Sequence, residues 1–150
     1  MDTKNIVTEE DGSLIESLPG SLGRTPVPPV FKEMKGQILA YDIEAGTLTC
    51  QFPVEERYQN PYGTMQGGMI AAAIDNTFGP LGALIAPPNV TRHMEVRYKR
   101  PITAEHHYII VSATLEMRED PYLYLRAQVR TDSGELAATA KARHFILLQD

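Results

Sequence analysis

The chain has 150 residues, of which 43% are hydrophobic and 22% charged, values typical of a single soluble globular domain. Its formal net charge of -5 disfavours non-specific binding to nucleic acid. The single cysteine, Cys50, excludes an internal disulfide bond and favours a reducing compartment.

The first residues are polar and acidic, and they include Glu9, Glu10 and Asp11. A signal peptide requires a basic start followed by an apolar region, so none is predicted. The longest apolar run around the central segment, residues 69–74, is too short to span a bilayer. We therefore expect a cytoplasmic protein without a membrane partner.

Residues 1–33 are predicted to form an N-terminal extension, and residues 34–150 the main domain. The extension is rich in residues that disfavour regular structure. These are Pro19, Gly20, Gly23, Pro26, Pro28 and Pro29.

Apolar and polar residues alternate from position 36 onward, a pattern typical of half-buried strands. The alternation predicts strands within residues 36–43, 48–54, 94–98, 109–117 and 123–129. Turn-forming residues at 44–46 and 132–134 separate consecutive strands. Residues 135–148 fit either a helix, because they are rich in alanine, or a strand. We favour a strand, because it completes a sheet with the strand before it.

One helix is predicted over residues 65–78, and it is apolar almost all round, as a buried helix is. Gly79-Pro80 is predicted to end or kink it, with a short helical piece continuing to Ile85. The expected fold class is α+β, with one long central helix wrapped by an antiparallel sheet of five or six strands.

The segment from Asn60 to Asp75 carries the strongest chemical signal. Gly67 and Gly68 stand at the predicted helix start, where backbone N–H groups lack partners and can bind an anion or a polarised carbonyl. Asp75 follows about two turns later in an apolar stripe, where a carboxylate needs a partner or a function. Oxyanion donors and a carboxylate are two components of an acyl-transfer site.

This segment resembles the hotdog-fold thioesterases of the phenylacetic-acid-degradation (PaaI-like) type, which hydrolyse acyl-CoA. The resemblance covers about residues 35–148 and depends mainly on Asn60, Gln66-Gly67-Gly68 and Asp75. The later Tyr98-Lys99-Arg100-Pro101 is similar to that family's Tyr-x-x-Pro pattern.

The resemblance implies a role for each residue of the motif. It implies that the Gly67 N–H, with Gly68 beside it, binds the thioester oxygen, and that Asp75 is the general base or nucleophile. It likewise implies that Asn60 positions the attacking group. It also implies that Thr91, seven residues before Tyr98, is the hydroxyl residue that often assists from the other subunit. The resemblance also implies a homodimer or homotetramer, with sites at the subunit interface.

Gln66 departs from the family pattern, which has histidine before the two glycines. Glutamine donates and accepts hydrogen bonds but carries no proton charge, so we expect reduced activity if that charge contributes to the rate. No cofactor is expected, since CoA is part of the substrate. Arg92, Lys99 and Arg100 are candidates for binding the CoA phosphates.

The histidines show no metal-ligand spacing, and no metal is predicted. His106 and His107 are expected to be neighbours in a strand that point to opposite faces. His93 and His144 are isolated along the sequence.

Two functions besides thioester hydrolysis are compatible with this sequence. A non-catalytic acyl-CoA binding protein is one, because the motif histidine is missing. A hotdog acyl-thioester hydratase is the other, although such enzymes generally pair a histidine with a carboxylate.

Overall fold

The structure is a computed structural model, and it describes residues 4–5 and 27–147. The helices and strands in chain order are β1 (Lys4–Asn5), α1 (Pro29–Glu33), β2 (Gln37–Asp42), β3 (Thr47–Pro53), α2 (Gly67–Ile85), β4 (Asn89–Tyr98), β5 (Tyr108–Glu119), β6 (Tyr122–Thr131) and β7 (Leu136–Ile146). A short 3-10 turn, Glu56–Tyr58, precedes α2.

The strands form one antiparallel sheet in the order β1-β2-β3-β5-β6-β7-β4. This confirms the α+β hotdog architecture, with six strands of six or more residues plus the two-residue β1. The final segment is a strand, as predicted, and its backbone pairs with β6 along most of its length. The two predicted turns contain Gly46 and Gly134, whose φ angles of 67° and 87° favour glycine.

The core lies between α2 and one face of the sheet. Along β3, Leu48, Cys50 and Phe52 point inward and are at most 1% exposed, while the residues between them are partly exposed. From the helix, Ile74 and Phe78 are completely buried against this face. The alternation in the sequence therefore gives the sheet one apolar face, and α2 packs across that face.

The helix predicted to Phe78 and the further piece predicted to Ile85 form one continuous helix, and Gly79-Pro80 does not end it. The helix continues through Gly79 and Pro80 to Ile85, with Leu81 and Leu84 buried. Gly79 has no Cβ to clash with the following proline ring, and burial of the last turns offsets the missing N–H of Pro80. Tertiary packing has outweighed the local helix-breaking signal.

The full helix has 19 residues, and by length and composition alone it could cross a membrane. Eight of its residues are buried inside the protein, among them Ile70, Ile74 and Phe78. This burial is typical of a core helix.

Part of the predicted extension packs on the core. Pro29 begins α1, a position where the missing N–H of proline costs nothing. Phe31 is 2% exposed, and its ring meets Phe52 edge-on at 5.8 Å between centroids. Residues 1–3 and 6–26 lie outside the described residues, and the boundary between positions 33 and 34 remains a prediction.

Candidate active site

The start of α2 presents free backbone donors. Gln66 is the N-cap residue, and its carbonyl accepts the N–H groups of Met69 and Ile70 at 2.9 and 3.1 Å. Within the described part of the chain, neither the N–H of Gly67 nor that of Gly68 donates a hydrogen bond. The Gln66 side chain is exposed and makes no capping hydrogen bond. The helix start is therefore able to bind an oxyanion or a carbonyl oxygen.

Asn60 builds the turn that leads into this helix start. Its Oδ1 accepts the N–H groups of Tyr62 and Thr64 at 2.9 and 3.1 Å, and its Nδ2 donates to the Thr64 hydroxyl at 2.7 Å. These contacts favour a structural role in an Asx turn. Positioning of the attacking group by Asn60 remains a prediction.

Tyr98 holds the same helix start from β4. Its hydroxyl donates to the Gly67 carbonyl at 2.7 Å, and a Cβ added at Gly67 would lie 3.2 Å from the Tyr98 ring. Only glycine therefore fits beneath this ring without displacing it. A pocket of about 340 Å³ opens here, lined by Thr64, Met65, Gly67, Ile70, Tyr98, Lys99, Arg100 and Pro101.

Asp75 and Thr91 are brought together within one chain. The Thr91 hydroxyl donates to Asp75 Oδ1 at 2.7 Å, and both side chains are exposed. The two residues are 16 positions apart, and they meet because β4 runs alongside α2. An assisting hydroxyl from the other subunit is therefore not needed to orient this carboxylate.

His144 also belongs to this cluster, which its isolation in the sequence did not indicate. Its side chain is 1% exposed on β7, opposite Thr91 on β4. The imidazole Nε2 lies 3.2 Å from the Thr91 hydroxyl, and Nδ1 lies 2.8 Å from Asn89 Oδ1. The one signal in the sequence is its position on the inward-facing phase of a strand, where a histidine needs partners.

Burial sets the protonation of this histidine. Desolvation lowers the pKa of His144 below its ordinary value of 6.5, and the nearby Asp75 charge opposes that change. The imidazole is therefore neutral at neutral pH.

Gly67 and Asp75 lie on nearly the same side of α2 but far apart along it. Eight residues separate them, which corresponds to about 12 Å of helix at about 1.5 Å per residue. A carbonyl bond is about 1.2 Å long. The Gly67 N–H and the Asp75 carboxylate of one chain therefore cannot both contact the same thioester carbonyl.

The candidate phosphate-binding residues lie in two different places. Lys99 and Arg100 line the pocket beside Gly67, and Arg100 also pairs with Glu135 at 3.2 Å. Arg92 instead stacks over the Phe145 ring, with 4.7 Å from its guanidinium carbon to the ring centroid. The cations nearest the helix start are thus Lys99 and Arg100.

The sequence predicted that His106 and His107 lie in a strand, and this prediction is wrong. They precede β5, and both contact Asp132 in the β6–β7 turn, through His106 Nδ1 at 2.9 Å and the His107 N–H at 2.9 Å. Across residues 27–147, no group of three or more His, Cys, Asp or Glu side chains could hold a metal ion.

Comparisons with known proteins find similar sequences and structures, although no family model matches the chain. Acyl-coenzyme A thioesterase 13 of Homo sapiens is 28% identical over 88 residues, which are 57% of this chain and 63% of that protein. The match thus spans less than two thirds of the curated relative.

Solved structures are similar over more of the chain. The phenylacetic acid degradation-related protein of Ralstonia eutropha JMP134, classed with the thioesterases, is 31% identical, with a TM-score of 0.76. That similarity covers 83% of this chain and 94% of the Ralstonia protein. The PaaI protein of the E. coli phenylacetic acid degradation operon has the same fold at 13% identity, with a TM-score of 0.75 over 81% and 86% of the two chains. The chain belongs to the hotdog-fold thioesterase family, in its phenylacetic-acid-degradation (PaaI-like) branch.

Proposed function

We propose that this protein hydrolyses an acyl-CoA thioester to the free acid and CoA. The observation that carries the proposal is the pair of free N–H groups at Gly67 and Gly68, on the helix that also bears the Thr91-bound Asp75. Preorganised N–H groups stabilise the oxyanion that develops when a thioester is attacked. A carboxylate held by a hydroxyl can activate the attacking water or attack directly.

Two copies of the chain complete each site in this proposal. The oxyanion donor and the base must both lie within about 3 Å of the reacting group, but the helix separates Gly67 and Asp75 by about 12 Å. Gly67 of one chain and Asp75 of a second chain are therefore expected to face the same thioester. The exposed side chains of Asp75 and Thr91 lie on the surface that a second copy would cover.

Lys99 and Arg100 are the proposed partners of the CoA phosphates. They lie on the pocket at the helix start, so a CoA chain running outward from the Gly67 N–H would pass their cations. Arg92 is set aside for this role because it stacks on Phe145.

Gln66 replaces the family histidine without removing the oxyanion donors. Because its exposed side chain makes no capping bond, it is free to hydrogen-bond the thioester or its surroundings. We propose slower hydrolysis than a histidine would allow, with the backbone N–H groups supplying the main stabilisation of the oxyanion.

Turnover of a panel of acyl-CoA esters tests the proposal. CoA release by the wild type is expected, and Asp75→Asn should lower kcat by about 100- to 10,000-fold, the usual contribution of an acid–base group. The matched control is Asp42→Asn at the end of β2, where the new amide oxygen can still accept the Ala45 N–H and activity should persist.

The alternatives predict different outcomes of the same panel. Tight binding of CoA esters without turnover at any chain length or aryl group would favour a non-catalytic binder. Hydration of an enoyl-CoA ester would favour a hydratase. Equal rates for wild type and Asp75→Asn would remove Asp75 from the mechanism.

A further inference from the structure

His144 has a hydrogen-bonding partner on each ring nitrogen. It is 1% exposed, and it packs edge-on against Phe78 with 6.1 Å between the ring centroids. The Thr91 hydroxyl and the Asn89 amide close the two ends of the imidazole. The Thr91 hydroxyl is therefore the neighbour through which Nε2 is connected to Asp75.

Asn89 determines which nitrogen of His144 carries the proton. Asn89 Nδ2 donates to the Pro87 carbonyl at 2.8 Å, so its Oδ1 must face the imidazole. An amide oxygen only accepts, so His144 Nδ1 must donate and Nε2 carries the lone pair in the neutral ring. Gly82 of α2 maintains this arrangement, since a Cβ there would collide with the Asn89 amide.

Thr91 has one hydroxyl proton and two neighbours that could accept it. The hydroxyl lies 2.7 Å from Asp75 Oδ1 and 3.2 Å from His144 Nε2. The shorter distance is to the carboxylate, which leaves the Nε2 lone pair without a proton. One additional proton would complete both hydrogen bonds among Asp75, Thr91 and His144. That proton can reside on the carboxyl group or on the imidazole.

We propose that Asp75, Thr91 and His144 form a proton relay in which His144 receives the proton that Asp75 removes from the attacking water. This inference rests on the proposed hydrolase function and assigns Asp75 the role of general base. His144 is then a positioning residue that acts through Thr91, since it does not touch the substrate itself.

The relay moves one proton from the attacking water to His144 and back to the leaving sulfur. The water oxygen bonds to the thioester carbon, the carbonyl electron pair moves to the oxygen, and the released proton bonds to Asp75. Asp75 passes its proton to the Thr91 oxygen as the Thr91 proton moves to His144 Nε2. When the oxyanion collapses and the C–S bond breaks, the reverse transfer returns the proton to Asp75, which delivers it to the CoA sulfur.

The surroundings of His144 suit this task. Helix α2 contributes the Phe78 ring, and also Asp75, which acts through Thr91. Strand β4 contributes Asn89 and Thr91. Strand β6 places Leu123 opposite His144. Of the ionisable groups that the structure describes, Asp75 is the one whose charge acts on the imidazole. Burial keeps the resting ring neutral, and the adjacent carboxylate stabilises it once it is protonated.

The pH dependence of kcat tests the relay in the full chain. His144→Gln should lower kcat by about 10- to 100-fold, less than the loss of an entire acid–base group. It should also move the acid limb of the profile to lower pH, because no imidazole remains to be charged. Asn89→Asp should move that limb to higher pH, because a carboxylate on Nδ1 stabilises the imidazolium. A purely structural role would scale the rate equally at every pH, and parallel profiles would overturn the proposal.

His107→Gln is the matched control, because it makes the same substitution at an exposed histidine in the loop before β5. It should leave the profile unchanged.

A second measurement does not depend on turnover. Nitrogen-15 NMR should show the His144 proton on Nδ1, and Asp75→Asn should move the His144 titration to lower pH. A proton on Nε2, or a titration unaffected by Asp75→Asn, would overturn the relay. Absence of hydrolysis in the wild type would instead contradict the proposed function, while NMR still tests the Asp75–Thr91–His144 coupling.

Discussion

Gly67 and Gly68 are neighbours in the chain, but they have different surroundings. A Cβ on Gly67 would lie 3.2 Å from the Tyr98 ring, whereas nothing lies within 4 Å of one on Gly68. Both residues offer a free N–H, so the motif alone does not distinguish them. The contact with Tyr98 indicates that Gly67 is the position where glycine is required.

Matched alanine substitutions separate the two glycines. Gly67→Ala should lower kcat by about tenfold, less than the roughly 100-fold or greater loss on removing a donor outright, because Tyr98 must shift and the helix start moves with it. Gly68→Ala should preserve most of the activity and stabilise the helix by up to about 1 kcal/mol. Rates of CoA release and thermal unfolding of both variants provide the check. A larger loss at Gly68 would contradict the assignment.

At the scale of secondary structure elements, Asp132 joins two loops. It sits in the β6–β7 turn and accepts the His107 N–H and a His106 ring nitrogen from the segment before β5. The His107 N–H is the main cause that lowers the pKa of Asp132 from 3.8 to about 2, followed by the His106 side chain. The folded state therefore favours the charged carboxylate.

This contact should make stability depend on pH in the acid range. A carboxyl with a lower pKa in the folded state contributes its full stabilisation above its unfolded pKa, near 3.8, and loses it as the pH falls towards about 2. The difference in free energy of unfolding between wild type and Asp132→Asn should therefore shrink across that window. Urea unfolding at a series of pH values measures it. A difference that stays constant with pH would show that the carboxylate charge is not responsible.

At the scale of the whole molecule, β4 is the last strand of the sheet. It has ten residues and pairs with β7 on one side only, among the strands that the structure describes. A long unpaired edge is a template for pairing with another chain. Val90 on this strand is 46% exposed, an apolar contribution to the same edge. We therefore propose a dimer formed through β4, which would also bring Asp75 near a second copy of Gly67.

Light scattering after gel filtration tests this assembly. The wild type should have a dimer mass or a multiple of it, and Val90→Lys should shift the protein towards monomer with a loss of turnover. Ile43→Lys is the matched control, since Ile43 is also 46% exposed but lies in the β2–β3 turn. A fully active wild-type monomer would contradict both the dimer and the two-chain site.

The sequence by itself determined the strands, the central helix and the residues of the motif. Leu48, Cys50 and Phe52 alternate with polar residues because one face of the strand is buried. The glycines before Asp75 mark the helix start, where unpaired N–H groups concentrate. These features depend on neighbours within a few residues, so local reasoning can find them.

Only the tertiary structure decided whether the helix is continuous through Gly79-Pro80 and what surrounds Asp75. Burial of Leu81 and Leu84 keeps α2 continuous through Pro80, where the local sequence was compatible with an end or a kink. Thr91 is 16 residues from Asp75 and 53 from His144, and they meet because β4 pairs with β7 and lies beside α2. Pairing between distant segments places the carboxylate, hydroxyl and imidazole together, so the relay could be recognised only once the sheet order was known.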